Sequence, residues 1–252
     1  MSRRLDATPT GSRGRLIAFR VLAGLGAFAL LGFGVLFLVL TFVDDEQDIH
    51  ALHNVAGFAY TVPLMAIPLI LAVKDPLGTV ASFRVVLAAS VATGVAGVIG
   101  GTMESAVFTL VIAMVLLALH PARGEVLRLG ALDLPLLALP FVAAIPAVMY
   151  GLEQADLQAT RPTSDPHAEF EHYGGMAAAA FSFVAAGAIA AFRGQGVRIA
   201  RWLVGIGAAF IGAAFLAHPD HTSAIASGWA VTVLVLGVVY TAVGELLARR
   251  AM

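Results

Sequence analysis

The chain contains no cysteine and a single lysine, Lys74, and only 12% of its 252 residues are charged. Without thiols it forms no disulfide, no thiolate metal site and no cysteine-ligated iron–sulfur cluster. It has no Gly-rich phosphate loop, nucleophile elbow or dinucleotide fingerprint, and no nucleic-acid footprint. The long apolar runs lack Asp, Glu, Lys, Arg and His near their middles, with Glu245 near the end of the last run the closest exception. Ion-coupled transport depends on such intramembrane ionisable groups, so their absence disfavours it.

What fills the chain instead is hydrocarbon. Apolar residues make up 60% of it and the mean hydropathy is +0.91, well outside the range of soluble globular chains. A spanning helix needs about 20 mostly apolar residues. Eight runs approach or exceed that length, at about 15–43, 51–73, 82–100, 103–119, 131–150, 172–192, 199–217 and 222–247. The third and fourth are the shortest, and only Gly100-Gly101-Thr102 separates them, so a re-entrant hairpin competes with two spans there. The pattern predicts an all-α integral membrane protein of about eight transmembrane helices. Residues 1–14 read as a disordered basic cytoplasmic tail, and 15–252 as a single polytopic membrane domain.

The charges orient it. With eight spans and an inner N-terminus, only Arg161 of the fifteen basic residues falls outside, a positive-inside distribution that predicts cytoplasmic termini. Asp44, Asp45, Glu46, Asp48, Glu104, Glu153, Asp156, Asp165, Glu169, Glu171 and Asp220 fall outside. Arginine in place of lysine, with heavy use of Ala, Val and Gly, points to a GC-rich bacterium and hence to a bacterial cytoplasmic (inner) membrane. The lipid bilayer is the one partner the sequence names.

The halves share a pattern. An offset of 117 residues (201 − 84) lays Arg84 on Arg201 and Glu104 on His221, and brings His53 within two residues of His172. Four spans per unit return the chain to the same side. The expectation is two parallel four-helix repeats, at about 15–120 and 131–250, related by an axis along the membrane normal.

The hint of chemistry lies in the outer breaks, where every histidine except His120 falls: His50, His53, His167, His172, His218 and His221. His50/His53, Glu169/His172 and His218/His221 are spaced i, i+3, which on a helix places each pair on one face. Imidazole plus carboxylate without thiolate suits a divalent metal, Zn²⁺ or Cu²⁺ above all. The candidate ligands are His53, Glu104, His167, Glu169, His172, His218 and His221. Asp165-Pro166 provides an N-cap and a first-turn proline for a helix carrying His167 and His172. Interfacial solvation is the competing reading, and it accounts for His50 and His218 most readily; on that reading the protein is a non-catalytic scaffold or accessory subunit. His120, at an inner helix end before Pro121, is expected to be partly cationic through the helix dipole and carries no assigned role.

Eight helices in two four-helix units, with outer histidines at the starts of even-numbered helices and Glu169-Phe170-Glu171-His172 opening the sixth, resemble the heme A synthase family in layout. That resemblance implies heme as a weaker alternative to a metal ion. Glu104 stands where that family has a ligand histidine, His50-x-x-His53 lacks the family's Glu, and no Arg follows either histidine.

Overall fold

A computed structural model describes residues 13–43 and 50–250. The N-terminal tail expected at 1–14 falls almost wholly outside these residues, as do Asp44, Asp45, Glu46 and Asp48 of the first outer loop. Among the described residues there is no strand, only an isolated bridge between Leu132 and Phe192. Eight long helices follow one another: α1 (Arg13–Val43), α2 (Ala51–Lys74), α3 (Val80–Ile99), α4 (Met103–Leu119), α5 (Leu134–Thr160), α6 (His172–Ala190), α7 (Val197–Ala217) and α8 (Ser227–Arg250). Seven are long and apolar enough to cross a membrane, and α4 has 17 residues, at the lower limit of spanning length. The coarse expectation of an all-helical, multi-span chain is therefore met.

Local sequence sets the helix boundaries. Pro63 and Pro68 lack the N–H that a regular ladder needs, and α2 answers with a wider π turn over Val62–Ala66, closed by Ile67 N–H to the Val62 carbonyl. Gly101 and Gly196 take φ of +76° at the α3–α4 turn and at the start of α7, a conformation that costs other residues strain. The fifth run extends past Tyr150 to Thr160, so Glu153, Gln154 and Asp156 are helical. The last run starts late, at Ser227, because residues 218–226 form turns.

Helices α2, α3, α6 and α7 form the interior, with half to two thirds of their apolar windows buried (50–67%), against 11–28% for α1, α5 and α8. Both halves use the same neighbours: α1 packs on α2 and α3 on α4, as α5 packs on α6 and α7 on α8. The halves meet through α3 against α6 and α2 against α7. Glycine allows the tightest of these approaches. A Cβ at Gly212 would land on the backbone of Leu234, and one at Gly237 on the backbone of Ala209, so α7 and α8 touch main chain to main chain.

One end of the bundle is tied by arginines. Asp133 stands at the N-cap position of α5, and its carboxylate turns to the arginines, accepting from Arg193 Nε at 2.8 Å and from Arg201 Nη2 at 2.6 Å. Arg201 also donates through Nε to the Ala190 carbonyl at 3.0 Å. Hydrogen bonding from Arg193 leads the effects that hold the Asp133 carboxyl below its ordinary pKa, with Arg201 adding to it. In the other half Arg84 donates to the carbonyls of Val126, Glu125 and Arg128. His120 lies at this end too, stacked on Phe83 with ring centroids 4.6 Å apart and fully buried. Burial, then the nearby Arg15 charge, pushes its pKa down to about 4. It is a neutral core imidazole and not the partly cationic helix cap the sequence suggested, because desolvation outweighs the helix dipole.

Removing one partner of a buried ion pair leaves an uncompensated charge, at a cost of about 3–5 kcal/mol. Asp133→Ala, which strands Arg201, should therefore lower the thermal unfolding midpoint in detergent sharply. Arg249→Ala, at an exposed i, i+4 pair with Glu245, should change it little. Equal shifts would remove Asp133 as the clamp of this end.

Candidate metal centre

Five histidines meet at the opposite end. His50 and His53 sit at the N-cap and first turn of α2, and their i, i+3 spacing turns both inward. His167 lies on a one-turn helix, Pro166–Glu169, whose N-cap Asp165 accepts a hydrogen bond from the His167 backbone N–H, with Pro166 at the first position. That turn stops at Phe170, and Glu171 takes a left-handed φ of 55° before His172 opens α6. His167 and His172 thus converge across a chain reversal and not along one helix face, while Glu169 is left exposed. His221 enters from the turn between α7 and α8.

The rings touch. Centroid distances are 4.6 Å for His50–His172, 4.8 Å for His50–His167, 5.0 Å for His53–His167 and for His53–His172, and 4.5 Å for His53–His221. Two triads, His50/His53/His172 and His53/His167/His221, each bring one ring nitrogen per residue within 4.8 Å of the others. His50 and His53 are each only 6% exposed. Four sequence candidates, His53, His167, His172 and His221, are therefore together. Glu104 is exposed in the first turn of α4, and among the described residues neither Glu104, Glu169 nor His218 belongs to these groups.

Hydrogen bonds assign the tautomers. Ser223 Oγ lies 2.8 Å from Gln154 Oε1, which only accepts, so the hydroxyl donates there. Ser223 Oγ then accepts from His53 Nε2–H at 2.9 Å. That leaves a lone pair on His53 Nδ1, which is buried and has no hydrogen-bond partner, as are His50 Nδ1 and His172 Nδ1. His167 Nδ1 faces Asp165 Oδ1 at 3.2 Å, a carboxylate–imidazole pair that puts the ring's lone pair on Nε2. Burial pushes the Asp165 carboxyl up, but the hydrogen bonds from the His167 backbone and ring outweigh it and its pKa lies below the ordinary value. His50 is pushed the other way, its pKa lowered first by burial and then by His167. His221 Nδ1 accepts the Ser223 backbone N–H at 3.2 Å. The Ser223 carbonyl takes the Tyr150 hydroxyl at 2.8 Å.

His50 is the cluster member that the sequence assigned to the interface, although its i, i+3 spacing to His53 was the available signal. Ser223 and Gln154 carry no motif. No family model, curated protein or solved structure matches this chain.

Ring nitrogens brought together in this way, the His50, His53 and His172 Nδ1 atoms buried without a partner and His53 and His167 each held by a hydrogen bond on the other nitrogen, are what a metal ion requires of imidazole ligands. Supporting partners of this kind typically contribute ten- to a hundredfold in metal affinity. Ser223→Ala should weaken Zn²⁺ or Cu²⁺ binding by about that range, measured by competition with a chromophoric chelator. Ser223→Thr, which keeps the hydroxyl, should bind near wild type. Unchanged affinity in Ser223→Ala would show that the relay does not set His53.

Proposed function

We propose that the chain is an eight-span protein of a bacterial cytoplasmic membrane, with both termini inside, that carries a mononuclear divalent-metal centre on its exoplasmic face. The ligands are drawn from His50, His53, His167, His172 and His221, and the metal is Zn²⁺ or Cu²⁺, which suit neutral imidazole in the absence of thiolate. Glu104, Glu169 and His218 stand apart from this ligand set. The observation that carries the reading is the packing of five imidazoles ring to ring, with the buried Nδ1 atoms of His50, His53 and His172 left without a hydrogen-bond partner. An unsatisfied buried acceptor costs about 1–3 kcal/mol, and one ion satisfies several together. Interfacial histidines, as a scaffold would have, keep their polar edges in water, whereas His50 and His53 are almost wholly buried.

The two triads share His53, whose Nε2 is engaged by Ser223. One remaining nitrogen serves one ion, so the triads are alternative positions for a single metal, and His50/His53/His172 is the favoured one, because His221 Nδ1 already accepts the Ser223 N–H while the Nδ1 atoms of the first triad have no partner. Heme fits less well, because a porphyrin would have to pass between rings that already touch. The exoplasmic assignment rests on the basic residues, which gather at the Asp133 end and leave the histidine end acidic. A parallel duplication is supported by the neighbour pairs shared by the halves and by the 117-residue offset, which lays His50 on His167 (50 + 117) as well as Arg84 on Arg201.

The test is metal loading of the detergent-purified, stripped protein. One Zn²⁺ or Cu²⁺ per chain should bind; His53→Ala and His172→Ala should abolish tight binding, and His218→Ala should retain it. In right-side-out vesicles a membrane-impermeant chelator should remove the ion. Wild type that takes up no metal, or substitutions that all behave alike, would overturn the centre. Protection of a bound ion from the chelator would overturn its placement.

A further inference from the structure

Beside the histidine cluster lies a cavity of about 710 Å³ between α5, α6, α7 and α8. It falls within the range of small-molecule sites, about 300–1,000 Å³. Its wall runs along α5 from Pro140 to Gln154, about 21 Å at 1.5 Å per residue. Met149 and Trp229 line it and are also 66% and 53% exposed, so the cavity opens sideways between α5 and α8, where the surroundings are lipid. What enters by that route is membrane-soluble.

The polar groups of the wall narrow the class. Among the described residues no Lys, Arg or His lines the cavity and its one carboxylate is Glu153, so an anionic head finds no counter-charge there. Tyr150 OH and Tyr240 OH donate to the backbone carbonyls of Ser223 and Gly187, and Thr232 Oγ1 donates to that of Gly228. Gln154 is different. It is 2% exposed and its Oε1 takes the Ser223 hydroxyl, but its Nε2 donates to no group among the described residues. Gln154 lines the cavity, and an amide N–H₂ on such a wall can donate to an acceptor placed there. Tyr150 and Phe215, also on the wall, have ring centroids 5.7 Å apart in an edge-to-face arrangement, which suits a planar head.

We propose that this cavity binds an uncharged, quinone-class lipid. A ring carbonyl accepts from Gln154 Nε2, and a single apolar tail runs along α5 toward Tyr240. The site adjoins the proposed metal centre through Gln154 and Ser223, but it rests on the cavity alone, and its test uses metal-stripped protein so that failure of either reading leaves the other standing.

The chain has two tryptophans. In Trp202→Phe protein, Trp229 on the cavity wall is the remaining reporter. Reconstituted in phosphatidylcholine nanodiscs and titrated with decyl-benzoquinone, it should show saturable quenching. Gln154→Leu should weaken the apparent affinity about tenfold, the size of one hydrogen bond. Ala147→Phe, which fills the cavity without touching Gln154, should leave only the linear quenching of a quinone dissolved in lipid. Palmitate and dodecanol, which offer a carboxylate and a hydroxyl in place of a neutral carbonyl, should not compete. Linear quenching in the wild type, or equal quenching in Ala147→Phe, would overturn the site. Competition by palmitate or dodecanol at matched concentration would overturn the quinone assignment.

Discussion

A neutral imidazole has one N–H and one lone pair, and five of them packed ring to ring, two buried and three half-buried, cannot all satisfy one another. The histidine end of the molecule is organised around that constraint. Asp165 fixes His167 and the Gln154–Ser223 relay fixes His53, while the buried Nδ1 atoms of His50, His53 and His172 have no hydrogen-bond partner. An array with no use for those lone pairs would be replaced at little cost by apolar side chains of similar size. With an ion the same arrangement is satisfied, and the left-handed Glu171 has a purpose: by breaking the helix it lets His167 and His172 reach the cluster from two directions.

The two ends of the bundle handle polarity in different ways. At the arginine end the buried guanidiniums close on a carboxylate or on carbonyls. Asp133 closes on Arg193 and Arg201, and Arg84 closes on three backbone oxygens. At the histidine end three imidazole nitrogens, on His50, His53 and His172, are buried without a partner. The first pattern holds helices together and the second is suited to receiving something. The cavity continues the contrast, since the hydroxyls of Tyr150, Tyr240 and Thr232 are engaged with backbone while the Gln154 amide is open on one side.

Most of the helical layout was legible because apolar runs of spanning length leave few alternatives, and α1 and α3 fall within two residues of their expected limits. The errors came from polar residues on helices. Glu153, Gln154 and Asp156 read as a loop, yet they continue α5 because one face of that last stretch packs inward. The residues before Ser227 read as helix, yet they turn, which is how His221 and Ser223 reach His53. Four of the five clustered histidines were legible by residue type and by their place in the polar breaks between apolar runs. His50 was not, because burial depends on packing that one sequence does not display, and its partner His167 lies in the other half of the chain. Ser223 is 170 residues from His53, and no spacing rule connects residues so far apart. The carboxylates Glu104 and Glu169 were attractive by chemistry, but their positions on helix surfaces leave them exposed.

The central claim is that these imidazoles bind one ion through nitrogen. X-ray absorption at the zinc edge of protein loaded with one equivalent of Zn²⁺ tests it most directly. The account predicts a shell of nitrogen scatterers at about 2.0–2.1 Å, with the outer-shell features of at least three imidazole rings and no sulfur. A shell of oxygen scatterers without imidazole features would contradict it.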